Sequence, residues 1–241
     1  MKLAVVIPVS ITLMACHLVG QEATGESILA KHLEARGGIA RLKALETLRL
    51  KGVQVLMPAP MELPITIEQR RPNLQRVELT VHGMTRITTF NGKEGWLKTP
   101  WAANKEAESL RPEEIKALAE SDFDSPYVDW QAKGWRAEYL GPSVLEGRNV
   151  HRVRVVVSNT ETIIGSFDAK TFQELERERS YRELGNEVKL QSTFDDYKVV
   201  QGISFPFYIL HRAVHRGRRL KLYIDQVDVN PVLPDLRFAK P

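Results

Sequence analysis

From Thr47 to Val229, apart from a central insert, apolar and polar residues alternate along the chain. This two-residue period belongs to strands that turn one face toward an apolar interior. The pattern is clearest between Leu190 and Leu210. Leu190, Ser192 and Phe194 alternate with Gln191, Thr193 and Asp195, a Gln201-Gly202 turn signal follows, and Ile203, Phe205 and Phe207 resume the alternation. Pro206 has no backbone donor, so this point is an edge, a bulge or a strand start. Two long strands sharing one apolar face need an apolar cover, which either protein or a ligand can provide.

Upstream the period is helical. Ile28, Leu29, His32 and Leu33 form one stripe over residues 26–36, with Thr24 as cap and Gly37-Gly38 as stop. A short second helix over 39–45 carries Leu42 and Leu45 inward. Strands are expected from Thr47 to the Pro58 and Pro60 break, then at 63–69, 74–81, 84–90 and 95–98. Their turns carry Pro72-Asn73, His82-Gly83 and Asn91-Gly92. Connections this short make an antiparallel meander.

Around Lys105 the alternation stops. Pro112-Glu113-Glu114 opens a helix bearing Ile115, Leu118 and Ala119, and Ser125-Pro126 opens a second helical stretch through Trp130. Trp101, Trp130 and Trp135 flank this insert, and Trp96 precedes it. Two readings fit: a helical lid over the concave face of the sheet, or a second layer of the core. Strands resume at 136–141, 150–157, 162–167, 171–181 and 187–197, run on through the Ile203–Phe207 stretch to 216, and end with 220–229. The fold class expected is mainly β (α+β), a single domain over residues 24–241. About eleven antiparallel strands should curl or close on themselves, with an N-terminal helix and a helical lid.

Composition narrows the function. With 241 residues, 43% hydrophobic and 27% charged, the chain can bury a sizeable core, and no Gly/Ser-rich linker divides it. The formal charge of +4 is mild. The densest basic cluster, Arg216, Arg218, Arg219 and Lys221 around Gly217, lies at an expected hairpin tip and lacks the interleaved aromatics of a nucleic-acid stripe. It reads as a solvated turn, with anionic headgroups or an acidic partner as the alternative.

Lys2 and the apolar run Leu3–Ala15 match a secretory signal over residues 1–20, too short to span a bilayer. Cys16 is the only cysteine, so no internal disulfide forms. Leu13-Met14-Ala15-Cys16 resembles a lipobox, whose cysteine is acylated and holds the mature protein on a membrane. Cleavage further on, for example after Gly20, is the alternative. The localisation expected is exported and periplasmic, with an outer-membrane anchor if Cys16 is acylated.

Candidate catalytic groups are sparse. There is no Gly-rich phosphate loop and no G-x-S-x-G elbow. His211 and His215 are four apart, but in a strand that spacing separates them by about 13 Å, too far to share an ion. Asp195 and Asp196 are adjacent in a strand and point to opposite faces. Asp168 opens a turn with Ala169-Lys170-Thr171. His32 borders an apolar stripe and reads as a packed or rim histidine. What the apolar faces permit is binding of an apolar ligand. An acyl chain of about 14 methylenes yields on the order of 10 kcal/mol gross on burial, reduced by association and ordering costs to an affinity suited to reversible carriage.

Several short pieces, in order, resemble a known family. They are His32-Leu33-Glu34-Ala35-Arg36-Gly37-Gly38, Leu45-Glu46-Thr47 with Gly52, Phe90-Asn91-Gly92 with Gly95-Trp96, Leu140-Gly141 and Glu146-Gly147. The most specific are Phe194-Asp195-Asp196-Tyr197 with Val200-Gln201-Gly202-Ile203 and Phe205-Pro206, and the tail from Val229-Asn230 through Leu233, Asp235, Phe238 and Pro241. Together they resemble the LolA/LolB-like outer-membrane lipoprotein-sorting proteins over nearly everything after the signal.

The resemblance implies an incomplete β-barrel with helices as a lid over an apolar cavity that holds lipoprotein acyl chains. It implies a carrier or acceptor role, no cofactor and no enzymatic activity. The family includes soluble periplasmic carriers and membrane-anchored acceptors, and Cys16 leans toward the second. Candidate lipid-binding residues are Trp96, Trp101, Trp130, Phe205, Phe207 and Leu118, and Cys16 is the candidate lipidation site. The partner expected is an acyl lipid or lipoprotein, bound by a monomer. An envelope signalling or interaction module on the same scaffold, without lipid cargo, is the competing class.

Overall fold

The computed structural model describes residues 23–57, 60–119, 123–183, 186–213 and 218–241. The signal segment, Cys16, His215, Arg216 and Gly217 lie outside them. Helix α1 (Gly25–Ala35) begins where the Thr24 hydroxyl accepts from Ser27 N at 3.1 Å, and the Ser27 hydroxyl accepts from Thr24 N in return. It ends at Gly37 and Gly38, and α2 (Ile39–Lys43) follows at once. Gly37 has φ +117°, and a Cβ there would lie 2.2 Å from the Gly202 carbonyl oxygen, so only glycine fits this corner.

Among the described residues thirteen strands form one antiparallel sheet. They are β1 (Thr47–Met57), β2 (Met61–Arg70), β3 (Leu74–Val81), β4 (Met84–Phe90), β5 (Gly95–Lys98), β6 (Glu108–Ser109), β7 (Arg136–Leu145), β8 (Arg148–Ser158), β9 (Glu161–Asp168), β10 (Glu174–Glu183), β11 (Asn186–Val200), β12 (Ile203–Ala213) and β13 (Arg218–Val229). The order is β6-β5-β4-β3-β2-β1-β13-β12-β11-β10-β9-β8-β7. The first and last strands thus pair at the centre. The chain runs outward to β6, crosses through the insert, and returns inward from β7. The expected count of about eleven was low. Strand β6 has only two residues, both polar, and carries no alternation to read.

The β1/β13 pairing shifts register between Lys51 and Gly52. A Cβ on Gly52 would meet the Tyr223 carbonyl oxygen at 1.9 Å, so glycine is required at this bulge. Pro206 lies within β12, yet β13 pairs with β12 only from Tyr208 onward. The missing donor of Pro206 therefore interrupts no hydrogen bond to β13. Where β12 and β13 diverge, the α1–α2 corner docks: Ser204 N donates to the Arg36 carbonyl at 2.9 Å, and Arg36 Nε donates to the Ser204 carbonyl at 2.6 Å.

Residues opposite one another in a ladder share a face. The inner face is the one covered by α1, α2 and the insert. One cluster gathers Leu48, Ile65, Ile203, Phe205, Phe207, Leu222, Ile224 and Val227 of the sheet under Leu42, Leu45 and Val128, with Val77 and Leu79 of β3 packed against it. In a flat sheet β3 and β12 would stand about 19 Å apart, four steps at ~4.8 Å, so a shared cluster requires the sheet to curl. On the outer face the C-terminal turn Asp235–Phe238 closes over β3 and β4. There Arg237 Nε and Arg49 Nε both donate to the buried Glu68, at 2.8 Å and 2.9 Å. Burial alone would raise the Glu68 pKa, but these two guanidiniums outweigh it and hold the carboxyl below its usual range.

The insert contains α3 (Pro112–Ala119), as expected. The second expected helix, from Ser125 through Trp130, is a run of turns instead. Asp129 sits at φ +55°, a left-handed conformation that a right-handed helix cannot include.

Candidate functional site

Over β8 and β9 the inner face is filled by the protein itself. Ile28 and Leu29 of α1 pack with Tyr127, Trp130, Val153, Val155, Ile163 and Phe167. His32 is buried within this layer, 5.4 Å from the Tyr127 ring and 4.8 Å from the Phe167 ring. Its Nδ1 lies 2.9 Å from the Phe172 carbonyl, which assigns the proton to Nδ1, while Nε2 has no partner. Desolvation lowers its pKa to about 4.

Beside it lies a polar network centred on the buried Glu174. The Tyr127 hydroxyl donates to its carboxylate at 2.6 Å, Arg177 Nε donates at 2.9 Å, and Arg177 Nη2 bonds the second oxygen. The Tyr197 hydroxyl donates to the Glu174 carbonyl at 2.7 Å. Burial raises the pKa of both tyrosines, and the Glu174 charge adds to this, so they stay neutral donors. This network ties the insert, through Tyr127, to β10 and β11.

At the opposite ends of the central strands no element among the described residues covers the same face. Leu56, Met61 and Met84, all inner-face residues, are 39%, 45% and 42% exposed. Leu220 beside Leu56 is half-buried. A cleft of about 390 Å³ continues this surface over β10–β13, bordered by Arg177, Arg179, Leu190, Ser192, His211 and Leu220. Its volume falls in the range of small-ligand sites, ~300–1,000 Å³. His211 accepts from or donates to the Ser192 hydroxyl at 2.8 Å. The cleft walls, with Arg177 nearby, lower its pKa. A second cleft of about 480 Å³ opens between α1 and the 127–132 turns. Among the described residues no three His, Cys, Asp or Glu converge as metal ligands, and no helix is long and apolar enough to cross a membrane.

This arrangement, one curled antiparallel sheet with helices over part of its inner face, matches solved structures. A LolA superfamily protein from Nitrosomonas europaea superposes with a TM-score of 0.58 at 13% identity, covering 90% of this chain and 98% of that one. A Vibrio parahaemolyticus domain described as an outer membrane lipoprotein-sorting protein gives 0.58 at 13%, covering 89% and 95%. A DUF1329 family protein from Desulfovibrio piger gives 0.60 at 9%, covering 89% and 96%. The chain shares its fold with these solved structures. No protein-family model matches the sequence, and no curated protein does either.

Within this LolA-like sheet the residues singled out from sequence separate. Phe205 and Phe207 lie together, buried under α2 and Val128, as wall rather than opening. Trp130 packs in the filled layer over β8 and β9 and also lines the cleft between α1 and the 127–132 turns. Trp101 is 45% exposed in the loop after β5, and Leu118 is half-buried on α3. Trp96 pairs with Thr89, and Thr89 with Arg76, whose Nη1 donates to the Arg237 carbonyl on the outer face. That parity places Trp96 on the side away from the clefts.

Leu56, Met61, Met84, Leu220 and the arginines were not singled out. Their strands were legible, and β10 to β13 follow one another through short turns, but that Leu220 stands beside Leu56 depends on the β1/β13 register, which joins segments far apart in the chain.

Proposed function

We propose that this protein is an exported lipid- or lipoprotein-binding protein, a carrier or acceptor in the cell envelope, that holds an acyl chain against the uncovered end of its inner face. The observation that carries this reading is the exposed apolar row of Leu56 and Met61, with Leu220 beside it and Met84 two strands away on the same face. An exposed contiguous apolar face on a folded domain marks a binding surface. The fold shared with lipoprotein-sorting and LolA superfamily proteins supports it, and so do the signal-like N-terminus and the lipobox-like Cys16 context. The buried titratable groups around Glu174 are bonded to one another and brace the insert, so the reading is of a binding protein rather than an enzyme.

Native mass spectrometry of the full chain, extracted from envelopes without detergent, tests the reading. Mass increments of acyl lipids are expected, and the same spectra report any acylation of Cys16. A protein that stays ligand-free after incubation with phospholipid and lipoprotein micelles contradicts it.

A further inference from the structure

The cleft over β10–β13 carries charge of one sign. Arg177 and Arg179 border it together with His211, and no carboxylate is among its described lining. Each guanidinium is held from one side by a carboxylate: Arg177 by Glu174, and Arg179 by Glu161 at 2.6 Å. Arg179 is nonetheless 43% exposed, with donors to spare.

The registers of five ladders place Arg177, Ser192, His211, Leu220, Leu56 and Met61 in one row across β10, β11, β12, β13, β1 and β2. Arg179 and Leu190 form the pair next to it on the same face. The row passes from cationic through polar to apolar over about 24 Å, at ~4.8 Å per strand step. A polyanion would meet three apolar residues at the far end. A wholly apolar ligand would leave the spare donors of the exposed Arg179 facing it unanswered.

We infer that this row binds a single-chain amphiphile with an anionic headgroup, a carboxylate or phosphate monoester seated on Arg179 and Arg177 beside His211, with its tail over Leu220, Leu56 and Met61. The inference rests on the acyl-binding reading above and deepens it by naming the headgroup chemistry. Arginine suits this role because its planar fork donates two parallel hydrogen bonds to either anion.

The test is native mass spectrometry titration of the full chain with dodecanoate, dodecyl phosphate, dodecanol and inorganic phosphate. Both anionic amphiphiles should bind at least about tenfold more tightly than dodecanol, the strength expected of a charge-assisted hydrogen bond. Arg179→Gln should remove most of that preference and leave dodecanol binding unchanged. Glu161→Gln, which frees Arg179 from its internal competitor, should tighten the anionic probes by a few fold, and it serves as the readout if Arg179→Gln does not fold.

Equal affinity for dodecanol and dodecanoate, or an Arg179→Gln effect shared by all probes, overturns the headgroup assignment while leaving acyl binding in place. Inorganic phosphate bound as tightly as dodecyl phosphate overturns the amphiphile in favour of a bare anion site. Failure of every chain-bearing probe to bind overturns the acyl reading beneath it.

Discussion

Two stretches of the same inner face have been treated in opposite ways. Over β8 and β9 every large apolar side chain of the sheet meets one from α1 or the insert, and Phe167, Val153, Val155 and Tyr127 are wholly buried. Across β1, β2 and β4 the far ends of the strands carry Leu56, Met61 and Met84 with no such partner among the described residues, and these side chains remain exposed. One sheet and one alternation thus give a filled core in one place and an exposed apolar surface in another. What separates them is where the helices and the insert reach. A side chain's own hydrophobicity therefore does not tell core from site.

Perturbing each half tests this division. The largest effect is expected at Glu174, which holds Tyr127 and Arg177 in the filled half. Glu174→Gln leaves the Arg177 charge without its partner and should cost about 3–5 kcal/mol in denaturant unfolding. A loss under 1 kcal/mol would show that the network does not brace the insert.

Next is His32, whose sign can be worked out. It protonates near pH 6.5 when unfolded and near 4 when folded. Between those values the unfolded chain binds more protons, so stability falls as pH drops from 7 to 4. The loss is on the order of 3 kcal/mol, at about 1.4 per pH unit. In His32→Leu that part of the pH dependence should vanish from unfolding curves taken across the range.

A smaller cost, about 1–3 kcal/mol, is expected for Gly37→Ala, which must shift the α1–α2 corner off the Gly202 carbonyl. Thermal melts would show it. The smallest effect on stability belongs to the open half. Leu56→Ser with Met61→Ser should change unfolding free energy by roughly 0.5 kcal/mol or less, while weakening acyl-chain binding about tenfold, a loss of ~1.4 kcal/mol. A large destabilisation with binding intact would reverse the comparison.

Much of the fold was legible because it is local. Thr24 and Gly37-Gly38 bound α1 as their chemistry requires, and most of the turns fell where Gly, Pro and Asn stand. The Asp168 turn forms with its carboxylate accepting from Lys170 N and Thr171 N, at 2.9 Å and 2.8 Å. Less visible were features that need long-range register. The pairing of β1 with β13 joins Leu48 to Val229 and Leu56 to Leu220, and no local pattern carries it.

The candidate site was less visible for a second reason. The aromatic residues near the insert divide: Trp96 is turned to the other face by a single step of parity, and Trp130 packs in the filled layer while lining the cleft beside α1. The residues of the open end are an ordinary leucine and two methionines, distinguished only by having no partner above them.

On the function proposed, an acyl chain lies over the open end of the inner face and not beneath the helices. Photo-crosslinking with a fatty acid carrying a diazirine near the end of its tail, followed by peptide mapping, reads this directly. Adducts are expected on β1, β2 and β13, around Leu56, Met61 and Leu220. Adducts concentrated on α1 and the 127–135 turns, or none above the level given by an unfolded control, would contradict it.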